Sequence, residues 1–424
     1  MSAPDAAPSV GDRLCALSGE SLPGFSWLDG GDTPGARGLV AAWPDVEIVG
    51  DSLDRLDEVE QRWRAEPDAV WMGWLSYELG AADQLQRSVR HSALPPLCMR
   101  QYRGGLRLLG GEIASEFGDA ARLRSALADV EPLAADAAWP LEPLTAGLDP
   151  AAYRGRVRAA QERIAAGDTY QVNLSQPMSA RWTAAARRVG EAERAAMLYA
   201  ALRRRCPGTM GGLVSTPVGT IVSNSPETLL ETTPGAGHEG GVLARSWPIK
   251  GTRPRGEGAA DAALADALRA SAKDAAEHVM IVDLVRNDLG RLAAPGQVFA
   301  PPKPSLLSLP TVHHLVTEVR ATLRDDVGLT ELVRALFPAG SITGAPKRST
   351  VGIIDTLEEH TRGIYCGSLL VLQPSGVTLN IAIRTALAHS EGITMCSGGG
   401  IVIDSDPEAE RLETLDKAAA FGGP

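Results

Sequence analysis

Apolar residues fall into two kinds of pattern along this chain. Spacings of three and four recur over residues 119–129, 151–166, 258–292 and 407–421, and predict amphipathic helices. In the 258–292 stretch the repeating positions are Leu264, Leu268, Val279, Val282 and Leu289, enough for one or two helices. Short apolar blocks at 69–75, 170–176, 208–231 and 363–397 predict strands instead. Two of these blocks carry their own turn signal: Pro217 and Gly219 divide 208–226, and Pro374-Ser375-Gly376 divides 363–383. The second block is an uncharged run of transmembrane length, but Gln373, Pro374, Ser375, Gly376 and Asn380 interrupt it, so it reads as a hairpin. The strand at 394–397 leads into a glycine triplet. Hairpins separated by helices, with no βαβ rhythm, predict a mixed α/β (α+β) fold with largely antiparallel sheets. The Pro/Ala-rich residues 131–150 read as a linker, and residues 1–10 as a short disordered lead-in without a basic or apolar targeting pattern.

Composition narrows the function classes. With 424 residues, 44% hydrophobic and 22% charged, the chain is globular and long enough for one very large domain or two ordinary ones. Its net charge of −11 disfavours a nucleic-acid partner, which would require clustered basic residues. Cys15, Cys98, Cys206, Cys366 and Cys396 are scattered and form no CxxC pair, as expected of reduced thiols in a cytoplasmic enzyme. Lysine is scarce: Lys250, Lys273, Lys303, Lys347 and Lys417 are the only five, and arginine supplies the remaining basic charge. Each lysine therefore asks for a reason.

Four groups could carry chemistry. Asp274 with Glu277, and Glu410 with Glu413, are i,i+3 pairs on predicted helices, so each pair shares a face and could present carboxylates to Mg²⁺. A solvated helix face would show the same spacing. Lys250 lies between an apolar Trp247-Pro248-Ile249 run and Gly251, where burial would lower the pKa of its amine toward nucleophilic use; a surface turn is the alternative. Glu227 follows a strand in Ser223-Asn224-Ser225-Pro226-Glu227 and is a candidate general acid. Gly398-Gly399-Gly400 and the Gly340–Lys347 segment could offer backbone amides to a carboxylate, although Pro346 and the spacing exclude a phosphate loop. His313 and His314, being adjacent, would point to opposite faces of a strand. Serine-hydrolase, zinc-protease and dinucleotide motifs are absent.

The order of these groups resembles the chorismate-utilising enzyme family over residues 145–424. Nine blocks carry it: GDTYQVNLSQ, SNSPETLLE, PIKGTRPRG, AEHVMIVDLVRNDLGR, VHHLV, FPAGSITGAPK, YCGSLLVL, IAIRTA and SGGGIVIDSDPEAERLETLDK. The first third matches more loosely, through Gly73-Trp74-Leu75-Ser76-Tyr77-Glu78. PIKGT resembles the aminodeoxychorismate synthase component I branch of that family, which serves para-aminobenzoate and folate, whereas anthranilate synthases usually carry alanine in place of Lys250. At Gln171, isochorismate and salicylate synthases place a water-activating lysine; glutamine cannot serve as a base, so ammonia is the expected nucleophile.

The resemblance implies a fold of two largely antiparallel sheets packed in a sandwich, with helices outside. Residues 1–130 would contribute to that same fold and 151–424 would form the chorismate-binding catalytic region. It implies Glu277 and Glu413 as direct Mg²⁺ ligands, supported by Asp274 and Glu410. Tyr365 and Arg384 would bind the enolpyruvyl carboxylate, with Gln171, Thr252, the backbone of Gly398, Gly399 and Gly400, and Lys417 completing the substrate site. Lys250 would attack chorismate, Glu227 would protonate the departing hydroxyl, and His314 would line the site. No cysteine lies in a glycine-rich elbow, and Cys366 falls inside the strand begun by Tyr365, so a separate glutamine amidotransferase subunit is the expected ammonia source. Anthranilate synthase and a non-catalytic chorismate-binding homologue are the rival readings. Trp27-Leu28-Asp29 departs from the serine-containing motif of tryptophan-regulated relatives.

Overall fold

The computed structural model describes residues 9–422, except 21, 34, 135–137 and 310–311. Most of the expected lead-in, residues 1–8, therefore lies outside the described residues, but its last two positions belong to a helix. Ser9 caps Val10–Gly19 reciprocally with Asp12, satisfying two amide donors at that end. Aspartate followed by proline starts two further predicted helices, Pro150–Ala165 and Pro407–Ala418. In each, the Asp149 or Asp406 carboxylate accepts from two first-turn amides, while proline occupies a position that needs no donor. The 258–292 pattern divides at Ser271 into Ala259–Ala270 and Ala272–Gly290.

Two large sheets form the frame, one of 11 strands and one of nine, and every strand pairing is antiparallel among the described residues. Alternation along single strands shows how they are layered. In Val70–Leu75, the side chains of Val70, Met72 and Trp74 enter a core shared with Leu28, Val214 and Ile221 of the other sheet. Trp71 and Leu75 point the opposite way, into a core that includes Leu56 and Val59 of the Arg55–Ala65 helix. Trp27 likewise turns from its neighbour Leu28 toward Leu14, Leu17 and Tyr199 on the helices Val10–Gly19 and Glu191–Arg205. The result is a sandwich with helices on its outer faces. Strands before residue 130 join both sheets: Ser26–Asp29 pairs with Gly211–Thr216, and Val70–Leu75 with Ser368–Gln373.

The 131–150 stretch contributes pairing of its own. Leu141 bridges to Trp182, and Thr145–Ala146 pairs with the long strand Gln171–Arg181; residues 135–137 lie outside the described residues. Three other expectations change. Tyr365 and Cys366 lie in a turn before the strand Ser368–Gln373, with Cys366 at φ 61°. The glycine triplet continues the strand Gly392–Ile401 and pairs with Gln171–Arg181, rather than following it as a loop. PIKGT is a strand, Ile249–Pro254, in a third sheet of three strands formed with Val312–Val316 and Ser305–Ser308.

Lys347, at the start of the helix Lys347–Leu357, is one of the scarce lysines and is buried. Its ammonium donates to Asp288 Oδ2 at 2.9 Å and to the carbonyls of Ala335 and Leu336 at 3.0 and 3.2 Å. It thus ties Ala272–Gly290 to the carbonyl end of Leu329–Leu336, filling all three donor positions of the amine. Lys347→Ala should cost about 3–5 kcal/mol, since Asp288 would be left as a buried unpaired carboxylate. Denaturant unfolding measures this, and Lys347→Ala combined with Asp288→Ala should recover part of the loss.

Candidate active site

Two crossovers between the large sheets position the first two site residues. Residues 224–227 carry the chain from Gly219–Ser223 in one sheet to Thr228–Thr233 in the other, and residues 381–384 run from Gly376–Asn380 back to Thr385–Ala388. The crossovers lie side by side, with Asn224 N donating to Arg384 O at 2.9 Å, Ile381 N to Glu227 O at 2.9 Å, and Ser225 Oγ to Ile381 O at 2.6 Å. Both deliver a charged side chain to the gap where the sheets part. Arg384 has φ 49°, a left-handed conformation uncommon for a residue with a side chain and one that clusters at functional sites. Among the described residues its guanidinium has no ion pair or side-chain hydrogen bond, although burial works against its charge.

Glu227 is 6% exposed and its Oε1 has no hydrogen-bond partner among the described residues. Burial raises its carboxyl to about 7, against the opposing pull of Lys250, a hydrogen bond from the Ile249 amide, the Ser341 side chain and Arg384. Lys250 approaches from the third sheet. Its strand is bulged at Gly251, where the register slips against Val312–Val316 and φ is 74°. A Cβ there would lie 2.9 Å from Leu268 Cδ1, so glycine both permits the bulge and clears the packed helix. Burial lowers the Lys250 pKa, the positive charge of Lys417 adds to the shift, and Glu277, Glu227 and Glu413 oppose it. The Lys250 amine and the buried Glu227 carboxyl therefore act on each other electrostatically, each pushed by burial toward its neutral form.

The histidines divide as adjacent strand residues must. His313 turns to Asp261 Oδ1 at 2.9 Å and Ser308 Oγ at 2.8 Å. His314 turns to the site side: Nδ1 lies 3.1 Å from both Gly251 O and Thr252 Oγ1, and the buried Nε2 is unpartnered among the described residues. Because Gly251 O only accepts, Nδ1 carries the proton and Nε2 offers a lone pair. Burial lowers the His314 pKa, which keeps the ring neutral.

On the other side stands the glycine strand. A Cβ on Gly399 would come within 2.9 Å of Glu410 Oε2, 3.9 Å of Glu413 Oε1 and 4.0 Å of Lys417 Nζ, which places all three from the helix Pro407–Ala418 over that glycine. Lys417 bonds Glu413 at 2.7 Å and the Gly398 carbonyl at 3.1 Å. A Cβ on Gly398 would lie 2.9 Å from the Tyr365 hydroxyl, and one on Gly400 would lie 2.8 Å from Gln171 Nε2. Tyr365 reaches this point from its turn, which is held to the second crossover by Cys366 N donating to Ala382 O at 2.9 Å.

Not every predicted residue is free to act. Asp274 is committed to Arg253 at 2.8 Å, and Glu410 accepts from Ser405 Oγ at 2.6 Å. No cluster of three or more His, Cys, Asp or Glu side chains able to hold a metal occurs among the described residues. Glu277 and Glu413, from different helices, both act electrostatically on Lys250. Mg²⁺ is commonly held by one or two carboxylates plus water and substrate oxygens, so this sparse all-oxygen pair fits it. Sequence reasoning overlooked Ser341, which contacts Glu227, and His278. His278 is 1% exposed; its Nε2 lies 2.7 Å from Thr317 Oγ1, and burial followed by the Lys250 charge lowers its pKa to about 4. His278 adjoins Glu277 within a quoted motif, but a single buried histidine has no spacing signal.

Fold and site together define an antiparallel α/β sandwich enzyme class with a buried lysine and carboxyl where two strand crossovers meet. A family model described as chorismate binding enzyme matches residues 35–422, and the chain belongs to that family. It is 41% identical over 267 residues to aminodeoxychorismate synthase component 1 of Salmonella typhimurium, covering 62% of this chain and 55% of that protein. It is 39% identical over 316 residues to an anthranilate synthase component 1 of Haloarcula marismortui, covering 73% of this chain and 61% of the relative. The matches thus span less than two thirds of these relatives' own length. The crystal structure of anthranilate synthase component I from Streptococcus pneumoniae superposes with a TM-score of 0.76 at 25% identity, covering 92% of this chain and 93% of that one. No helix among the described residues is long and apolar enough to cross a membrane.

Proposed function

We propose that this chain aminates chorismate at C4, the reaction of aminodeoxychorismate synthase component I. The observation that carries the reading is the electrostatic coupling of Lys250, with its pKa lowered, to Glu227, with its carboxyl raised to about 7. Neutral Lys250 attacks C2 of the ring. The double bonds shift, the C4–O bond breaks, and the departing hydroxyl takes the Glu227 proton and leaves as water. Ammonia then attacks C4, the double bonds shift back, and the C2–N bond to Lys250 breaks with return of the amine. Two allylic displacements replace one difficult substitution, the usual gain of covalent catalysis.

The remaining groups position the substrate. Arg384, whose guanidinium has no ion pair or side-chain hydrogen bond among the described residues, and the Tyr365 hydroxyl would bind the enolpyruvyl carboxylate, Arg384 in bidentate fashion. Gln171, Thr252, Lys417 and the Gly398–Gly400 backbone would line the ring, and neutral His314 would direct its Nε2 lone pair toward it. Glu277 and Glu413 would hold Mg²⁺, with Asp274 and Glu410 in support, and the bound ion would neutralise the ring carboxylate of a dianionic substrate. Ammonia would come from glutamine on an amidotransferase subunit. Burial raises the thiol pKa values of Cys15, Cys98, Cys366 and Cys396, those of Cys98 and Cys366 to about 12, which disfavours these thiols as glutaminase nucleophiles.

Incubation with chorismate, Mg²⁺ and ammonium salt should yield 4-amino-4-deoxychorismate. Anthranilate with pyruvate would instead support the anthranilate synthase reading, which the Haloarcula and Streptococcus relatives keep in play. Binding without turnover would support a non-catalytic role. Chelation should reduce the rate at least 100-fold, with recovery on adding Mg²⁺; full activity in chelator would remove Glu277 and Glu413 from their metal role.

A further inference from the structure

Gln171 and Asn173 share one face of the strand Gln171–Arg181, while Val172 and Leu174 turn to the opposite face and its apolar core. Asn173 is directly opposite Gly400 in the register, and Ser175 opposite Gly398. Directly paired residues point the same way, so the two glycines leave room on this face that the Tyr365 hydroxyl and the Gln171 side-chain amide enter. Asn173 and Gln171 border that space, and the Tyr365 hydroxyl reaches into it over Gly398. Asn173 is 6% exposed and Gln171 1% exposed, yet Asn173 Nδ2 and Gln171 Nε2 both lack a hydrogen-bond partner among the described residues. Two buried amide donors aimed into one glycine-floored space are costly unless a ligand oxygen satisfies them.

The backbone around Asn173 is fixed from both directions. Its amide donates to Thr343 O at 2.8 Å, and its carbonyl accepts from Arg362 Nη2 at 2.7 Å. Arg362 is itself held by Glu358 through bonds of 2.9 and 2.8 Å, stacks 4.5 Å from the Tyr77 ring centroid, and donates its backbone amide to Glu78 Oε1 at 2.7 Å. The Asn173 side chain acts on the Tyr365 hydroxyl as a weak hydrogen-bond donor, lowering its pKa against the burial that raises it, so the two polar groups lie within reach of each other. Donors held this rigidly lose little entropy on meeting an acceptor.

We infer that Asn173 is a substrate-binding residue whose side-chain amide donates, beside Tyr365 and Arg384, to the enolpyruvyl carboxylate of chorismate. This rests on the proposed chorismate site and adds a neutral donor that the sequence motifs did not single out. A neutral donor orients a carboxylate without adding a second full charge next to Arg384.

The test is calorimetric titration of chorismate with Mg²⁺ and without ammonia, in a Lys250→Ala background so that the lysine adduct cannot form. The functional reading requires that this background protein bind chorismate. Asn173→Val should then raise Kd about 10- to 100-fold, the range expected for a lost hydrogen bond to a charged group, with thermal melting unchanged within a few degrees. Asn173→Asp keeps the shape and places a like charge at the carboxylate, so it should weaken binding further, and it serves where the valine variant fails to fold. Combining Asn173→Val with Arg384→Gln should give less than the product of the separate effects, because both groups act on one carboxylate. An unchanged Kd in either Asn173 variant overturns the inference while leaving the functional reading intact, and strict additivity with Arg384→Gln removes the assignment to that carboxylate.

Discussion

Replacing Lys250 with alanine should reduce 4-amino-4-deoxychorismate formation by about 10³-fold or more, on the order of 4 kcal/mol of lost transition-state stabilisation. Lys250→Arg should fare no better, since guanidinium stays charged and cannot attack. Mass spectrometry gives a readout independent of turnover. With chorismate and Mg²⁺ but no ammonia, the wild type should accumulate a species heavier by chorismate minus water, localised to the peptide containing Lys250. The alanine variant should show none. Unchanged turnover in Lys250→Ala would eliminate the covalent route.

Glu227→Gln should lower kcat by about 10²- to 10⁴-fold, the range for loss of a positioned general acid. The pH profile gives the sharper comparison. Glu227 donates only when protonated, and its carboxyl is raised to about 7, so loss of its proton contributes a limb that falls with pH. Lys250 must be neutral, and burial lowers its pKa from the ordinary value, so loss of its proton contributes a limb that rises with pH. The bell belongs to the coupled pair, and the glutamine variant should retain only the rising limb. The same titration lowers stability as pH rises. A carboxyl raised from 4.5 to about 7 leaves the fold progressively less stable as pH climbs between those values, by up to about 3 kcal/mol. Glu227→Gln should therefore melt higher than wild type at pH 8. A descending limb that persists in Glu227→Gln would assign the titration to another group.

Much of this architecture is legible in local sequence because it depends on local physics. The Asp-Pro starts at 149–150 and 406–407 and the hairpin turns near Pro217 and Pro374 satisfy or break backbone hydrogen bonds within a few residues. Other features depend on partners far away in the chain. The triplet Gly398–Gly400 reads as a loop, because glycine weakens a strand, but Gln171, Tyr365, Glu410 and Glu413 occupy the volume its side chains would take. Asn173, unlike Gln171, looks like an ordinary polar strand position. Only the lack of a partner for its side-chain amide among the described residues distinguishes it, and that can be recognised only when the neighbours have been placed.

The lysine bias makes the same division. By itself the sequence determined where several helices and two hairpins begin, that the sheets are largely antiparallel, and that each of five lysines would need a reason in a chain whose basic charge is otherwise arginine. Tertiary structure assigned very different environments to them. Lys347 meets three acceptors and becomes a structural tie, whereas Lys250, beside the Gly251 bulge, is desolvated and coupled electrostatically to Glu227. The local chain carries bond geometry and turn chemistry, but desolvation and charge pairing are sums over surroundings assembled from segments as distant as Glu227 and Glu413. For that reason the fold of the protein is written largely in its pattern, while the protonation states that make its site reactive exist only once the sheets have closed.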